Sequence, residues 1–390
     1  GPCILTMTYK NGDLKEPQPL ILTRTRTNYE ILYPQTKTGE LTLEPTEKIT
    51  LACPGKANFI QGIPYLEETS EIEARCLRDK TFFIENDGLK FAFANVSCSR
   101  LPYDTAQRTE ETCHGDEASH VEIGFTLEKG FLKLLEVCRD DDSYSTFWTK
   151  FVLSKNIGAF HNPFPRPPWK TGKFYSGYKM DDIYKTKQQL VSVEKLVGSQ
   201  ELASVYVDNQ KGKFMAKGHL TAKADFVYGS TQMSTFWYLN AAPQWQTFNS
   251  GNWVALESDV RQFAERKSLD LIVYTGTHGH MSLSDVNGNQ VPAYLYADDE
   301  NQGIPVPRFF WKIIYDPVRQ LGTAFIGLND PYAEVISDDM FICEDIADRI
   351  KWLTWRPENI LKGISYACSI SDLSEAIPSV PELEVRGLLY

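Results

Sequence analysis

The sequence predicts an α+β protein in two parts, a β-rich domain over residues 1–145 and a mixed domain over residues 146–390. Apolar residues alternate with polar or small ones at residues 89–93 and 121–127, a period of two that is typical of half-buried strands. Turn signals such as Asn11-Gly12 separate these stretches. We therefore expect a small all-β domain, stapled by disulfide bonds, before residue 146.

Helical periodicity joins the strands in the second part. Apolar residues spaced three and four apart predict a helix over residues 250–267, with a stripe formed by Trp253, Leu256, Val260 and Phe263. Residues 271–274 and 307–315 are expected to be strands. Residues 162–168 are rich in proline and cannot be helical, so they form a linker or a surface arm.

Composition excludes two classes of protein. Of the 390 residues, 42% are hydrophobic and 23% are charged, which is typical of a globular chain and excludes general disorder. No apolar run reaches the roughly 18–20 residues that cross a bilayer, so no membrane association is expected. The amino terminus lacks the pattern of a signal peptide, as expected of a mature chain whose targeting segment has been removed.

The eight cysteines predict disulfide bonds in an oxidising compartment. Their number is even and none stands in a Cys-x-x-Cys pair, which argues against a zinc ribbon or a thioredoxin-type motif. Cys343 and Cys368 stand apart from the other six and are predicted to pair. Sequential pairing of those six is one of the fifteen arrangements that six cysteines allow. Asn95 opens the only glycosylation sequon, which also favours export.

The net charge of −11 conceals a basic segment. Residues 150–223 hold thirteen Lys and Arg against five Asp and Glu, so the rest of the chain carries −19. An acidic protein should repel nucleic acid, but a local surplus of positive charge can hold phosphates. The alternative is a solvated lysine-rich face without a ligand.

Polar residues with regular spacing follow the basic segment. It ends in Lys217-Gly218-His219, and Asn249, Trp253, Glu257 and Arg261 then recur every four residues. On a helix this spacing places an amide, a carboxylate and a guanidinium on one face. Two alternatives stay open: a single His is more often structural than catalytic, and Asn249 stands where it could cap the helix.

These residue types suit the hydrolysis of a phosphodiester. The reaction needs a base for water, a cation for the developing charge and a positive surface for the strand. His219, a metal ion held by Asn249, and Lys217 with the basic segment can supply them in that order. Mg²⁺ prefers oxygen ligands and keeps several waters, so one amide oxygen and a carboxylate that orients water suffice.

Three motifs together resemble the DNA/RNA non-specific endonuclease family, whose site is a ββα-metal finger. They are Lys217-Gly218-His219, Asn240-x-x-Pro243-Gln244 and Asn249-x-Gly251-x-Trp253-x-x-x-Glu257-x-x-x-Arg261. Residues 216–219 and 242–246 are most similar to the secreted arthropod branch, which includes crustacean duplex-preferring nucleases and insect gut or salivary nucleases. The match is tight over residues 215–261, and the layout is similar over most of the chain.

By position, the resemblance implies a role for each residue. His219 is the general base, Asn249 is the direct ligand of Mg²⁺ (with Mn²⁺ as an alternative), and Glu257 hydrogen-bonds the waters of the metal. Arg261 stabilises the phosphate charge or the site itself. The metal-water network is supported by Asn240 and Gln244.

The sequence departs from the family's pattern in two places. The usual Asp-Arg-Gly-His is replaced by Ala216-Lys217-Gly218-His219, and lysine keeps the charge of arginine but loses its bidentate grip on phosphate. The family's upstream active-site arginine has no clear counterpart, for which Arg166 and Lys179 are the candidates. The other expected nucleic-acid contacts are Lys213 and Lys223.

The sequence thus predicts a secreted, monomeric, Mg²⁺-dependent endonuclease with little sequence specificity. We expect it to act on DNA, preferentially double-stranded, with duplex RNA as the next candidate substrate. The alternative is a secreted nucleic-acid-binding protein with weak or lost nuclease activity, which the lysine at position 217 favours. A disulfide-rich structural or adhesive ectodomain would explain the cysteines but not residues 215–261.

Overall fold

The computed structural model describes all 390 residues. An amino-terminal module contains ten short strands: β1 (Cys3–Thr6), β2 (Leu20–Arg24), β3 (Tyr29–Ile31), β4 (Glu40–Leu43), β5 (Lys48–Ala52), β6 (Ile60–Gln61), β7 (Glu71–Arg78), β8 (Thr81–Ile84), β9 (Leu89–Ala92) and β10 (Ser97–Cys98). Six of them form an antiparallel sheet in the order β3-β2-β5-β7-β8-β9. The other four form the small ribbons β1–β4 and β6–β10. The β-rich character predicted for this part is confirmed.

Fifteen further strands follow. They are β11 (Thr105–Cys113), β12 (Ala118–Leu127), β13 (Gly130–Asp140), β14 (Ser145–Leu153), β15 (Met215–His219), β16 (Ala241–Trp245), β17 (Leu271–His278), β18 (Ser282–Ser284), β19 (Gln290–Pro292), β20 (Tyr294–Ala297), β21 (Gln302–Pro305), β22 (Phe309–Asp316), β23 (Leu321–Leu328), β24 (Ser365–Cys368) and β25 (Gly387–Leu388). In β12 the side chains of Val121, Ile123 and Phe125 are buried, as their alternation predicts.

A nine-stranded sheet forms the centre of the molecule. Its order is β11-β12-β13-β14-β17-β22-β23-β24, with β25 parallel to β23 and every other pair antiparallel. All eight residues of β22 are buried, because packed layers cover both faces of the sheet there. Phe310 and Ile314 point to the core that the sheet shares with the nearby long helix, and Trp311 and Ile313 point to a second core.

The central sheet extends across the expected domain boundary at residues 145–146. Strands β11 to β14 begin at residue 105 or later, and β14 pairs directly with β17, with Trp148 opposite Gly276. Three strands of the sheet, β11 to β13, therefore come from the part of the chain that we expected to be separate, and β14 begins at its last residue. We propose a domain boundary near residue 104, immediately before β11.

Seven α-helices complete the fold, together with short 3-10 turns. They are α1 (Met180–Ile183), α2 (Thr186–Val197), α3 (Gln200–Tyr206), α4 (Gly229–Gln232), α5 (Gln246–Phe248), α6 (Val254–Arg266) and α7 (Ile370–Ala376). A π-helical turn, Asn249–Trp253, joins α5 to α6. The apolar stripe predicted for this region is confirmed, because all four of its side chains are buried.

Four disulfide bonds use all eight cysteines. Cys343–Cys368 forms as predicted, and Cys113–Cys138 agrees with sequential pairing. Sequential pairing is wrong for the first four cysteines, which are joined as Cys3–Cys76 and Cys53–Cys98. The reason is strand neighbourhood: β1 lies beside the end of β7, where Cys3 bridges Asp79. None of the helices is both long and apolar enough to span a bilayer.

Candidate active site

The predicted catalytic motif folds as a hairpin followed by a helix. Strands β15 and β16 are antiparallel, with His219 opposite Ala241 and Lys217 opposite Pro243. The chain passes directly from β16 into α5, the π-helical turn and α6. This order of elements places His219 on the first strand of the hairpin and the predicted metal ligands on the helix that follows.

Aromatic rings enclose the His219 imidazole. The ring centroids of Trp169 and Phe236 each lie 4.7 Å from that of His219, and His219 Nε2 is buried without a hydrogen-bond partner. Burial, together with the positive charges of Arg166 and Lys223, lowers the pKa of His219 to about 3. The imidazole is therefore neutral, which is the form that can accept a proton.

Three cations that form no ion pair lie near this ring or over the aromatic rings beside it. Arg166 lies 4.9 Å from the centroid of Phe236, Lys217 lies 5.5 Å from that of Tyr238, and Lys223 Nζ donates to the Phe164 carbonyl at 2.6 Å. Ion pairs occupy other members of the basic segment, namely Lys150, Lys170, Lys185 and Lys195. The uncompensated charge beside His219 is suited to a phosphate group.

The other predicted basic contacts lie less close. Lys179 is exposed just before α1, and no contact joins it to His219. Lys213 is half-exposed and forms a β-bridge with Asp208 before the hairpin begins. Of Arg166 and Lys179, the two candidates for the missing arginine, Arg166 is the better one because its charge influences the pKa of His219 and that of Lys179 does not.

Asn240 braces the chain that leaves His219. Its Nδ2 donates to the carbonyls of Thr221 and Thr235 at 2.9 and 3.0 Å, and its Oδ1 accepts from Thr221 N at 2.9 Å. Both amide hydrogens are therefore engaged by the backbone. We propose this bracing role for Asn240 in place of the expected part in a metal-water network.

Gln244 differs from Asn240 in that its side-chain amide makes no hydrogen bond. Its side chain is fully buried, yet neither Oε1 nor Nε2 has a hydrogen-bond partner. The side chain lies against Gly218, where a Cβ would come within 2.5 Å of Gln244 Oε1 and 3.0 Å of the Ala242 carbonyl. An orphaned amide in this position is suited to ordered water, as expected of a residue that supports a hydrated metal.

Replacing Gly218 by alanine is expected to destabilise the protein by about 1–3 kcal/mol and to lower activity. The added methyl group would force Gln244 away from the hairpin. Chemical unfolding and plasmid cleavage measure the two effects. In a Gln244→Gly background the same change should cost less, because the contacts at 2.5 Å with Gln244 Oε1 and 2.6 Å with Gln244 Cβ are both removed; equal losses in both backgrounds would contradict this explanation.

Asn249 lies inside the helical region and does not cap it. The helical backbone already begins at Gln246, so the capping alternative is wrong. Asn249 Nδ2 donates to Gln246 Oε1 at 3.3 Å, whereas Asn249 Oδ1 accepts no hydrogen bond on this half-exposed side chain. The π-helical turn is kinked at Gly251, where a Cβ would lie 2.8 Å from Lys362 Cα. Such turns recur at functional sites.

Glu257 and Arg261 lie in a buried charged environment. Burial raises the pKa of Glu257 to about 7, an effect that the positive charges of Lys312 and Arg261 oppose. Arg261 Nη1 pairs with Asp225 Oδ1 at 2.8 Å, and the two side chains are only 15% and 5% exposed. This contact favours the second of the two roles expected for Arg261, stabilisation of the site itself.

The structure brings the predicted residues together in two groups. One surrounds His219 on the hairpin, and the other lies along the helical region with Asn249, Glu257 and Arg261. No hydrogen bond or ion pair joins His219 to Asn249 or Glu257. The segment after His219 connects the groups, because Lys223 faces the imidazole and Asp225 holds Arg261. No cluster of three His, Cys, Asp or Glu side chains could hold a metal alone.

The donors that are present suit a hydrated hard cation. Asn249 Oδ1 is free to bind a metal, the Gln244 amide is buried and unpartnered, and the Glu257 carboxylate lies farther along the same helix. Such a site, which offers oxygen and relies on water for most of the coordination, fits Mg²⁺ better than a metal that needs a full protein cage.

Sequence reasoning missed four side chains that shape this site: Trp169, Asp225, Phe236 and Lys312. The first three bear no local signal, since their partners are distant in sequence. Lys312 does bear one, because it is the only cation in the apolar run of β22. A lone lysine inside an apolar strand indicates a buried charge with a specific partner.

A neutral histidine on a β-hairpin, with an amide and a carboxylate on the next helix and cations near the imidazole, is the arrangement of a ββα-type nuclease. The profile of the DNA/RNA non-specific endonuclease family matches residues 117–373, and the chain belongs to this family. It is accordingly an endonuclease of a family of divalent-metal-dependent enzymes that act on nucleic acids.

Several relatives come from insects. The chain is 28% identical to the salivary endonuclease of Lutzomyia longipalpis over 308 residues, which cover 77% of this chain and 71% of that protein. It is 24% identical to salivary protein Tsal2A of Glossina morsitans morsitans, over 100% of this chain and 95% of that protein. The crystal structure of the EndoG/EndoGI complex aligns with 65% of this chain and 87% of that chain, at 16% identity and a TM-score of 0.38.

Proposed function

We propose that this protein is a secreted, Mg²⁺-dependent endonuclease that uses His219 as its general base. Its expected substrate is DNA, preferentially double-stranded, with duplex RNA second and with little sequence specificity. One observation carries the proposal: a neutral imidazole with an unpartnered Nε2 lies near Arg166 and Lys223, which form no ion pair, and Lys217 lies over the neighbouring ring of Trp169.

Each protein group has a defined task in this mechanism. His219 Nε2 accepts the proton of the attacking water, while Arg166, Lys217 and Lys223 hold the phosphate. Asn249 Oδ1 would bind Mg²⁺ directly, and Glu257 and Gln244 would hold its waters. The metal supplies charge stabilisation to the phosphate and the leaving oxygen. Asn240 and the Asp225–Arg261 pair keep the two halves of the site in place.

Export is supported by three features. Four disulfide bonds need an oxidising compartment to form. Asn95, the acceptor residue of the sequon, is exposed in a 3-10 turn. The relatives are named as salivary proteins. We propose a secreted protein on these grounds and keep a monomer as the expected oligomeric state.

The second candidate function is nucleic-acid binding with weak or lost cleavage. Lys217 in place of the family's arginine favours it, because an ammonium cannot form the bidentate contact with phosphate. Incubation with plasmid DNA, duplex RNA and single strands of each, with Mg²⁺ or with EDTA, separates the two functions. Metal-dependent fragments support the nuclease, and binding without fragments supports the alternative.

Binding to duplex DNA is expected to weaken steeply with salt. Each phosphate contact contributes about 0.9 to the slope of log K against log salt concentration. Arg166→Ala or Lys217→Ala should each lower that slope by about 1, which fluorescence anisotropy in EDTA can measure. Lys90→Ala removes an exposed cation of the amino-terminal sheet and serves as the control. A slope unchanged by either site variant would refute these phosphate contacts.

A further inference from the structure

Lys312 is a buried cation beneath the nuclease helix. Its side chain is 1% exposed, on the face of β22 that also carries Phe310 and Ile314. Lys312 Nζ donates to Thr275 Oγ1 at 2.6 Å, its only hydrogen-bond partner, and lies 5.6 Å from the ring centroid of Trp253. A buried ammonium with one neutral partner is costly unless a nearby negative charge balances it.

Glu257 is the available counter-charge. The Asp225–Arg261 pair is internally neutral, since its oxygen and nitrogen lie 2.8 Å apart. Glu257 stands four residues after Trp253 and therefore on the same helical face as the ring that Lys312 contacts, with no direct ion pair between Glu257 and Lys312. Burial raises the pKa of Glu257, and the charge of Lys312 is the strongest influence that lowers it. Burial lowers the pKa of Lys312, and the charges of Asp225 first and Glu257 second oppose this effect. The four charged groups sum to zero when both Lys312 and Glu257 are ionised.

A row of polar side chains connects this position to the catalytic hairpin. Lys312 pairs across the sheet with Thr275, and Thr275 pairs with Thr149. Thr149 Oγ1 lies 2.8 Å from Thr221 Oγ1, and Thr221 follows His219 by two residues. The row crosses the sheet face that carries Phe310 and Ile314 and ends at both halves of the site. Packing alone does not require such a row.

We propose that Lys312 is a positioning residue of the nuclease: its buried ammonium is the fixed counter-charge of the Glu257 carboxylate and holds that carboxylate in place. The inference rests on the role proposed for Glu257 in the metal-water network. Lys312 itself contacts neither substrate nor metal and acts only through Glu257.

Thermal unfolding of the metal-free protein at about pH 8 tests the charge pair without any assay of activity. Lys312→Met and Glu257→Gln are each expected to lower Tm, because each leaves one buried charge unbalanced. The double variant should recover most of this loss. Additive losses would overturn the pairing. If Lys312→Met alone fails to fold, recovery of folding in the double variant supports the pair, and its absence counts against it.

Plasmid cleavage tests the positioning role. Lys312→Met is expected to lower kcat by about 10- to 100-fold with little change in KM. In a Glu257→Gln background the same change should have almost no further effect, whereas an equal further loss would overturn the proposal. Thr275→Val, which removes the hydrogen-bond partner of Lys312, should show the same dependence on Glu257.

Thr323→Val is the matched control for these variants. It removes another buried hydroxyl of the central sheet, one that bonds to the Leu389 carbonyl away from the charged groups. Thr323→Val should lower Tm without changing kcat. A fall in kcat equal to that of Lys312→Met would mean that the loss of any buried polar group lowers kcat. Full activity of His219→Gln would contradict the proposed mechanism. Recovery of Tm in the double variant of Lys312 and Glu257 could still establish the charge pair in that case.

Discussion

Replacing His219 by glutamine is expected to lower kcat for plasmid cleavage by about 10²–10⁴-fold, the range that a positioned general base contributes. Glutamine approximates the size of the imidazole between Trp169 and Phe236 but cannot take a proton from water. Affinity for duplex DNA should hardly change, because Arg166, Lys217 and Lys223 still hold the phosphate. Initial rates of nicking and fluorescence anisotropy measure the two quantities.

His278→Gln is the control for this substitution. His278 is a half-buried histidine at the end of β17, and its pKa is also lowered by burial. It lies outside the hairpin, so its replacement should leave nicking unchanged. Turnover close to that of the unsubstituted protein in His219→Gln would exclude His219 as the base. A parallel loss of DNA affinity would instead show that the imidazole serves mainly to bind the strand.

Asn249→Ala is expected to abolish both cleavage and the stabilisation of the fold by Mg²⁺. Loss of the metal removes several kcal/mol of transition-state stabilisation, equivalent to at least about 100-fold in rate. A ligand that binds only the folded state raises stability by about 2.7 kcal/mol at one hundred times its Kd. Differential scanning calorimetry with Mg²⁺ and with EDTA should therefore show a metal-dependent Tm that disappears in this variant.

Gln262→Ala supplies a control on the same helix. Gln262 is exposed, and its Nε2 donates to Ser258 Oγ at 3.1 Å, away from the predicted ligands. This variant should retain the metal-dependent rise in Tm and normal cleavage. A rise that persisted in Asn249→Ala would show that the cation is held elsewhere, and Glu257 would then be the next side chain to replace.

Local features of the site could be predicted from the sequence. The apolar stripe that ends at Phe263 predicted the helix, and the spacing from Asn249 to Arg261 predicted an amide and a carboxylate on one face of it. Strand alternation identified β9 and β12. These patterns depend on residues three to eight positions apart within one helix or strand. The regular geometry of that helix or strand determines the face on which each side chain lies.

Contacts between distant segments could not be predicted. Alternation shows which residues of β14 point inward but not that β17 is its neighbour, so the boundary expected at residue 145 divides a continuous sheet. The pairing of Arg261 with Asp225, the enclosure of His219 by Trp169 and the position of Lys312 beneath Trp253 depend on packing of the whole domain. The π-helical turn at Asn249 was also missed, because backbone hydrogen bonding and the approach of Lys362 define it.

The disulfide bonds leave the middle of the chain without covalent restraint. Three of them lie between Cys3 and Cys138, and the fourth joins Cys343 to Cys368. Hairpin, π-helical turn and long helix all lie between these groups and are held by packing and hydrogen bonds alone. A mild reductant therefore breaks disulfide bonds only before the catalytic region and after it, and none within it. The activity that the enzyme keeps in the presence of thiols then depends on how much the two disulfide-bonded ends of the chain stabilise the catalytic region.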